Sequence, residues 1–364
     1  MREDQPRWVG ADVLHIGTHP PGLILAHRGF LEICRASPQF TALLLATRPR
    51  SVQTTQEQII LPFPVQQGPP LQNADLAALW GSTLLTLLGA CLTMVPLYSL
   101  IARTTDRATA WRMACFWPLV PAIAVFIPLS DTFLPLLGTS IVAAWWPGAA
   151  PRGWRTVVAA VLFWIGMLIS LAILTVGCLL LFLTLLELSR TDSLARPRLI
   201  RRTIGEVVLA GSVVAALTAL FYWASDVNLL NVWAWNYHNH AGFYLEYDRG
   251  YWKWLLLNPL EFSLALGLPV VLAAAVSFRH IEWKSVPTLA VLACLGLLWI
   301  SGKNSGEAAR LWIFLIPWVF WTIAPLWRAY QQRSVWLALL VLQLITASVV
   351  AARVSGFEFQ RFLT

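Results

Sequence analysis

The stretch "EVVLAGSVVAALTALFYWAS" (residues 206–225) decides the fold class of this chain. It carries one acidic and no basic side chain, and as a helix it is long enough to cross the roughly 30 Å hydrocarbon core of a bilayer. Comparable apolar runs predict further helices near 76–102, 113–128, 131–147, 156–186, 259–277, 285–301, 310–327 and 334–352. The sequence therefore predicts an all-α polytopic membrane protein with about nine to ten transmembrane helices.

The composition supports this class. Over 364 residues, 58% are hydrophobic and only 12% are charged, which leaves too few polar groups to cover a soluble globule of this size. The formal net charge is +8, but the arginines cluster in short segments between apolar runs, where they set topology. We therefore expect a lipid bilayer and no nucleic acid as partner. Four cysteines are interpreted as buried apolar residues without pairing or metal-type spacing: Cys91, Cys115, Cys178 and Cys294.

The chain divides into three regions. Residues 1–75 are less apolar, and their start, "MREDQPRWVGAD", lacks the apolar segment of a signal peptide. We expect them to form an outer-face loop region with amphipathic segments. A transmembrane helical domain follows over residues 76–353, and residues 354–364 form a short C-terminal tail.

Arginine-rich loops predict the topology, because basic residues collect in short cytoplasmic loops. This rule places five segments inside: 103–112, 152–155, 190–202, 278–284 and 328–333. The apolar run 156–186 lies between two of them and must cross an even number of times. We therefore predict a helical hairpin or re-entrant pair that turns near "IGMLIS" (165–170).

The same topology leaves four segments on the outer side: 1–75, 128–131, 226–258 and 302–310. They hold the chemically unusual side chains of the chain, which are His19 in "THPPG" (18–22), Asp131, the "NYHNH" stretch (236–240), and the Glu307/Arg310 pair. Ionisable groups that converge on one membrane boundary suggest a shared site.

Each of these features also has a structural alternative. The aromatic residues of 226–257 are typical of an interfacial belt, although they could also stack on a sugar ring. His238 and His240 would point to different faces in a helix and to the same face in a strand, and hydrogen bonding to phosphate or hydroxyl is favoured over metal binding. Asp131 could cap a helix, and Asn304 with Glu307 resembles a capping box.

Three segments together resemble the GT-C-type membrane glycosyltransferases that use polyprenyl-phosphate sugars. They are "THPPG", "FIPLSDTFLPLL" (126–137) and "SGEAARLWIFLIPW" (305–318). The resemblance implies an inverting transfer of a hexose or pentose from a lipid-phosphate donor to a glycan, lipid or protein acceptor. It places the reaction on the non-cytoplasmic face, most simply of a bacterial cytoplasmic membrane.

The resemblance also implies roles for single residues. Asp131 matches an acidic residue of a later outer loop, and His19 lies in the loop that follows the usual catalytic base, so both are catalytic candidates. Substrate-binding candidates are His238, His240, Arg249, Lys253, Glu307 and Arg310, of which the cations suit a phosphate. Such enzymes begin with a helix that carries the catalytic acid, so we expect that helix and base upstream of Met1. The cofactor is unknown, and the participation of a divalent metal is left open.

Two functions from other classes remain possible on the sequence alone. A transporter or flippase for a lipid-linked or small polar substrate would carry ionisable groups near mid-membrane and internal repeats, whereas here the charges lie at the boundaries. A degenerate, non-catalytic membrane protein would tolerate alanine substitutions in its outer loops.

Overall fold

The structure is a computed structural model. It describes residues 19–57, 71–146, 153–246, 250–276, 278–302, 304–328 and 332–354, without the side chains of 240–246. Within these ranges every regular element is helical. The prediction of an all-α protein is therefore confirmed.

Eighteen α-helices follow one another along the described ranges. The first nine are α1 (Gly22–Ala36), α2 (Pro38–Ala46), α3 (Arg50–Thr55), α4 (Asn73–Leu92), α5 (Met94–Ile101), α6 (Arg107–Ala114), α7 (Pro121–Phe126), α8 (Leu134–Trp145) and α9 (Gly153–Ile169). The others are α10 (Leu174–Arg190), α11 (Arg196–Ser225), α12 (Leu229–Glu246), α13 (Tyr251–Leu266), α14 (Leu268–Val276), α15 (Val286–Ile300), α16 (Ala308–Leu311), α17 (Ile316–Ile323) and α18 (Arg333–Arg353).

Several of these helices are long and apolar enough to cross a membrane. Over the described residues, five spans pass by length and composition, or six if the bent pair α13 and α14 forms one span. The five are Asn73–Ile101, Arg107–Phe126, Leu171–Arg190, Arg196–Ser225 and Arg333–Arg353. Three shorter apolar helices, Gly153–Ile169, Val286–Ile300 and Ile313–Arg328, also occur. The predicted number of about nine to ten is reached only if such shorter helices cross as well.

The main core lies between the central helices. α8 packs against α9, α5 and α10, and α15 packs against α10 and α17. Large aromatic side chains are fully buried between them, including Trp117, Phe116, Trp318 and Phe320. The buried indole of Trp117 donates to the backbone carbonyl of Ala90 at 2.6 Å, so that its polar atom is satisfied in an apolar setting.

The predicted hairpin is present. α9 ends at Ile169, Ser170 adopts an extended conformation, and α10 begins at Leu174 after a short 3₁₀ turn. Gly166 lies against the Ile173 side chain and Gly177 lies against the Phe163 ring. These two contacts join positions on either side of Ser170, so the chain folds back there as predicted.

The N-terminal helices form a separate layer on α4. α1 and α2 both pack against it, and a second small core contains Cys34, Leu44, Ala77, Ala78 and Trp80. α1 is amphipathic, since Cys34 is buried while Arg28, Glu32 and Arg35 are exposed. The assignment of residues 1–75 as an outer-face loop region stays a prediction, and α1 carries the chain away from His19.

A sharp bend separates α13 from α14. The two helices meet at 105° around Gly267, whose φ of +106° favours glycine. The fully buried amide of Gln343 in α18 donates to the carbonyls of Leu266 at 2.9 Å and Leu119 at 3.1 Å. A broken helix is tolerated in an apolar environment when a side chain satisfies its freed backbone in this way.

Four of the five predicted cytoplasmic loops lie together at one end of the bundle. Arg328 pairs with Glu282 and donates to the carbonyl of Thr104 at 3.3 Å. Arg103 and Arg155 each donate to the carbonyl of Ala143 at 2.8 Å. Segments 103–112, 152–155, 278–284 and 328–333 therefore meet, as the arginine pattern indicates.

Candidate functional site

Asp131 and Arg310 meet at the opposite end of the bundle. Asp131 lies in the turn between α7 and α8, and Arg310 lies in α16. Arg310 Nε is 3.7 Å from Asp131 Oδ2, and Arg310 Nη2 donates to Glu307 Oε2 at 3.0 Å. The guanidinium thus lies between two carboxylates. Its buried Nε has no hydrogen-bond acceptor among the residues that the structure describes.

His19 adds the first outer segment to this group. It lies close enough to Asp131 for its charge to lower the pKa of that carboxyl. Its backbone carbonyl accepts a hydrogen bond from Asn236 Nδ2 of α12 at 3.3 Å. Three residues on, Gly22 lies against the Leu168 backbone beside the hairpin turn. All four segments that the sequence places on the outer side therefore converge.

Burial is the main influence on the Asp131 carboxyl. Loss of solvation raises the pKa of Asp131 above its ordinary value, and Glu307 raises it further. Arg310 and, more weakly, His19 act in the opposite direction. A carboxylate whose pKa is raised by burial is better suited to accept a proton near neutral pH than an exposed aspartate is.

The turn that carries Asp131 is fixed by its neighbours. Thr132 is fully buried and its hydroxyl donates to the Leu129 carbonyl at 2.8 Å. The Phe133 ring packs directly on Gly89 of α4, where a β-carbon would lie 2.2 Å from it. The expectation that Asp131 caps a helix is wrong, because α8 begins at Leu134 and makes no side-chain cap. The side chain of Asp131 is thereby left to face Arg310.

The segment before Arg310 also differs from its prediction. Asn304 was expected to cap a helix, but it has a φ of +65° and lies between two glycines that also have positive φ, Gly302 and Gly306. The N-cap residue is Glu307, without a side-chain cap. The first helical amide, of Ala308, instead donates to Glu261 Oε2 of α13 at 3.0 Å. The capping partner thus comes from another helix, which local spacing could not reveal.

The remaining candidates lie outside this group or outside the described residues. His238 is exposed on α12, with its ring stacked on that of Trp235 at 6.3 Å. Lys253 is exposed, with Nζ 5.2 Å from the ring centre of Trp254. The side chain of His240 and the whole of Arg249 lie outside the described residues.

The residue of "NYHNH" that reaches the site is Asn236. The sequence pattern favoured His238 and His240, because an imidazole can donate a hydrogen bond to a phosphate or hydroxyl group. α12 is helical across this stretch, so that the extended alternative does not occur. Asn236 is 3% exposed, and nothing in the local sequence distinguishes this asparagine from Asn239.

Aromatic side chains surround the site end of the bundle. Seven of them are exposed: Tyr222, Trp223, Trp235, Tyr237, Tyr251, Trp252 and Trp299. Two bind backbone carbonyls through their polar atoms, Tyr251 to Ile300 at 2.7 Å and Trp299 to Leu255 at 2.6 Å. Amphipathic rings exposed at one end of an apolar bundle are typical of a membrane–water interface.

Metal ligands are not grouped in the part of the chain that the structure covers. No set of three or more His, Cys, Asp or Glu side chains is placed there to hold a metal ion. At the site itself, the positive group between Asp131 and Glu307 is the guanidinium of Arg310.

Comparisons with known proteins yield one distant likeness. No protein-family model matches the sequence, and no curated protein matches it. The fold is similar to the crystal structure of an oligosaccharyltransferase from Archaeoglobus fulgidus, in complex with zinc and sulfate, with a TM-score of 0.48 and 15% sequence identity. The match covers 77% of this chain and 42% of that chain, so this chain spans less than half of that protein's length.

Proposed function

We propose that this protein is a membrane glycosyltransferase. In this proposal it transfers a hexose or pentose, with inversion, from a polyprenyl-phosphate donor to a glycan, lipid or protein acceptor. The reaction takes place on the non-cytoplasmic face of a bacterial cytoplasmic membrane. The observation that carries the proposal is the meeting of a half-buried carboxylate, Asp131, with a guanidinium that has an unsatisfied Nε, Arg310, at one end of an apolar helical bundle.

The two side chains suit the two ends of such a reaction. Asp131 accepts the proton of the acceptor hydroxyl as that oxygen attacks the anomeric carbon of the sugar. The bond between the anomeric carbon and the phosphate oxygen breaks, and the negative charge that develops on the leaving polyprenyl phosphate is stabilised by Arg310. His19 lies beside the carboxylate and is proposed to orient the acceptor. Direct displacement from one face of the sugar gives inversion.

The surroundings favour a lipid-linked donor over a soluble one. A polyprenyl phosphate needs an apolar flank for its tail and a cation at headgroup height for its anion. The exposed aromatic residues at this end supply the first, and Arg310 supplies the second. Lys253 lies over the Trp254 ring and adds positive charge near the start of α13. We also propose His238, His240 and Arg249 as donor contacts and Glu307 as the residue that orients Arg310.

The test is a donor-cleavage assay with purified protein in lipid nanodiscs. A panel of polyprenyl-phosphate hexoses and pentoses is offered together with a mixed glycolipid and glycopeptide acceptor fraction, and released polyprenyl phosphate is measured by mass spectrometry. We expect release from at least one donor with the wild type and with Arg328→Gln, a variant at the other end of the bundle. Loss of release is expected with Arg310→Gln.

Two results would contradict the proposal. One is equal binding of polyprenyl phosphate by the wild type and by Arg310→Gln. The other is movement of an intact, labelled lipid-linked sugar from one leaflet of a proteoliposome membrane to the other without cleavage. This result would identify a transporter or flippase instead.

A further inference from the structure

One face of α13 contacts the segment that leads to Arg310. Tyr251, Trp254, Asn258 and Glu261 follow one another at spacings of three, four and three, which places them on one side of a helix. Each of them touches a residue between 300 and 308. This face therefore acts as a continuous support for the loop between α15 and α16.

The two aromatic members of this face shape the loop. Tyr251 lies against Gly302 and Trp254 lies against Gly306, where a β-carbon would come within 2.6 Å and 2.8 Å of the rings. Both glycines also have a positive φ, of +66° and +76°. At each of the two positions glycine is required for two independent reasons, the close approach of a ring and the positive φ.

The two polar members hold amides on either side of Glu307. Asn258 Oδ1 accepts a hydrogen bond from the Gly306 amide at 3.3 Å, and Glu261 Oε2 accepts one from the Ala308 amide at 3.0 Å. Asn258 is 1% exposed, so that loss of this bond would leave its own buried side-chain oxygen without water. These bonds explain the two polar residues of the otherwise apolar stretch 254–262 of α13.

α16 cannot set its own direction. It contains only four residues, and a helix this short is not stable without contacts from elsewhere. Its first amide, of Ala308, is held by Glu261, and two residues later Arg310 reaches Asp131 and Glu307. The direction of Arg310 therefore depends on α13.

We infer that Asn258 and Glu261 are positioning residues that hold the backbone around Glu307 and thereby keep Arg310 in front of Asp131. Their importance for catalysis rests on the proposed function, whereas their effect on the Asp131–Arg310 pair does not. Neither residue needs to touch substrate. A purely structural clamp would support the loop without changing how these two side chains interact.

The experiment measures the coupling between Asp131 and Arg310 without substrate. Thermal unfolding in detergent is recorded for Asp131→Asn, Arg310→Gln and the double variant, in the wild type and in two further backgrounds, Glu261→Gln and Glu261→Met. Glutamine keeps an oxygen acceptor for the Ala308 amide and, like methionine, removes the charge. The two backgrounds therefore differ in the hydrogen bond and not in charge.

We expect the losses in Tm to be non-additive in the wild type and in Glu261→Gln, because the two side chains interact. In Glu261→Met they should add. The same non-additivity in Glu261→Met as in the wild type would overturn the inference, and so would additive losses in the wild type. If Glu261→Met does not fold, Asn258→Leu is compared with the wild type, in which the neutral Asn258 supplies the acceptor, so that this pair also differs in the hydrogen bond and not in charge.

A binding arm separates this inference from the proposed function. With polyprenyl phosphate as the probe, Glu261→Met should weaken binding about tenfold or more, as Arg310→Gln does, and Glu261→Gln should restore it. If no variant alters binding while the Tm cycle shows the expected coupling, the positioning inference stands and the proposed function fails.

Discussion

Asp131 and Arg310 face each other at 3.7 Å, close enough for electrostatic attraction and too far for a hydrogen bond. Arg310 donates a hydrogen bond to Glu307 through a different nitrogen, Nη2. Its Nε therefore points to a carboxylate without binding it. A phosphate oxygen that came within hydrogen-bonding distance of this Nε would gain a charged donor without breaking an existing hydrogen bond.

Asp131→Asn should separate catalysis from folding. Asparagine keeps the shape of the side chain but cannot take up a proton, so we expect sugar transfer to be abolished. The side chain makes no helix cap, so any loss in Tm should come only from its interaction with Arg310, and binding of polyprenyl phosphate should persist through Arg310. Near-normal turnover in Asp131→Asn would remove this carboxylate from the reaction.

The raised pKa of Asp131 has a definite sign in stability. The Asp131 carboxyl holds its proton more strongly in the folded protein than in the unfolded chain. Its contribution to folding stability is therefore fully present below the ordinary aspartate pKa of about 3.9. That contribution is lost as the pH rises through the folded-state pKa. The Tm of the wild type minus that of Asp131→Asn should therefore fall over this window. A difference that rises with pH would show that Arg310, and not burial, dominates.

Arg310 should shift that window, because its charge lowers the pKa of Asp131. We therefore also compare the Tm of Arg310→Gln with that of the double variant Arg310→Gln/Asp131→Asn. We expect this difference to fall at a higher pH than the difference between the wild type and Asp131→Asn does. His19 and Glu307, which also act on Asp131, are present in every protein compared. An unchanged window would mean that the two side chains are farther apart in solution.

Arg310 should also dominate the affinity for a lipid phosphate. Loss of a hydrogen bond to a charged group costs about 1.5–3 kcal/mol, so Arg310→Gln should raise the Kd for polyprenyl phosphate roughly ten- to 150-fold. The matched control is Arg328→Gln, which removes an arginine that pairs with Glu282 at the other end of the bundle. Equal losses in both variants would indicate a general effect of net charge.

The two ends of the bundle should differ in access from outside the cell. A cysteine in place of exposed Ser225 should react with an impermeant thiol reagent in intact cells, and a cysteine in place of exposed Lys284 should react only after lysis. Gly302 is a poor labelling position, because a side chain there would collide with Tyr251. Reaction of Lys284→Cys from outside would reverse the assignment of the two faces.

The bend between α13 and α14 should require glycine. In Gly267→Ala the new β-carbon would lie 2.0 Å from Gln343 Nε2 at a φ of +106°, and the backbone conformation alone costs about 1–3 kcal/mol. Gly296→Ala in α15 meets open space and should be stabilised by about 0.5–1 kcal/mol. Thermal unfolding in detergent compares them, and similar Tm values for the two variants would show that the bend is not fixed by Gly267.

Apolar run length and the placement of arginines predicted most of the membrane helices, the hairpin at Ser170 and the sorting of charged segments to two ends. They did not predict α12, the start of α13 at Tyr251 or the bend between α13 and α14. The predicted features depend on the length of apolar runs and on which loops carry arginine, and both are local properties of the chain. Residues 103–112 and 328–333 could therefore be placed together before any contact was known.

Which side chains meet depends on how the helices pack, and no local pattern in the sequence reveals it. Whether Asn236 or His238 faces His19 depends on how α12 is rotated against its neighbours, and that rotation is set by packing. The backbone before Arg310 leaves helical geometry at Gly302, Asn304 and Gly306, so spacing no longer predicts direction there. Its hydrogen-bond partners come from α13, because an amide in an apolar environment binds whichever acceptor the fold brings to it.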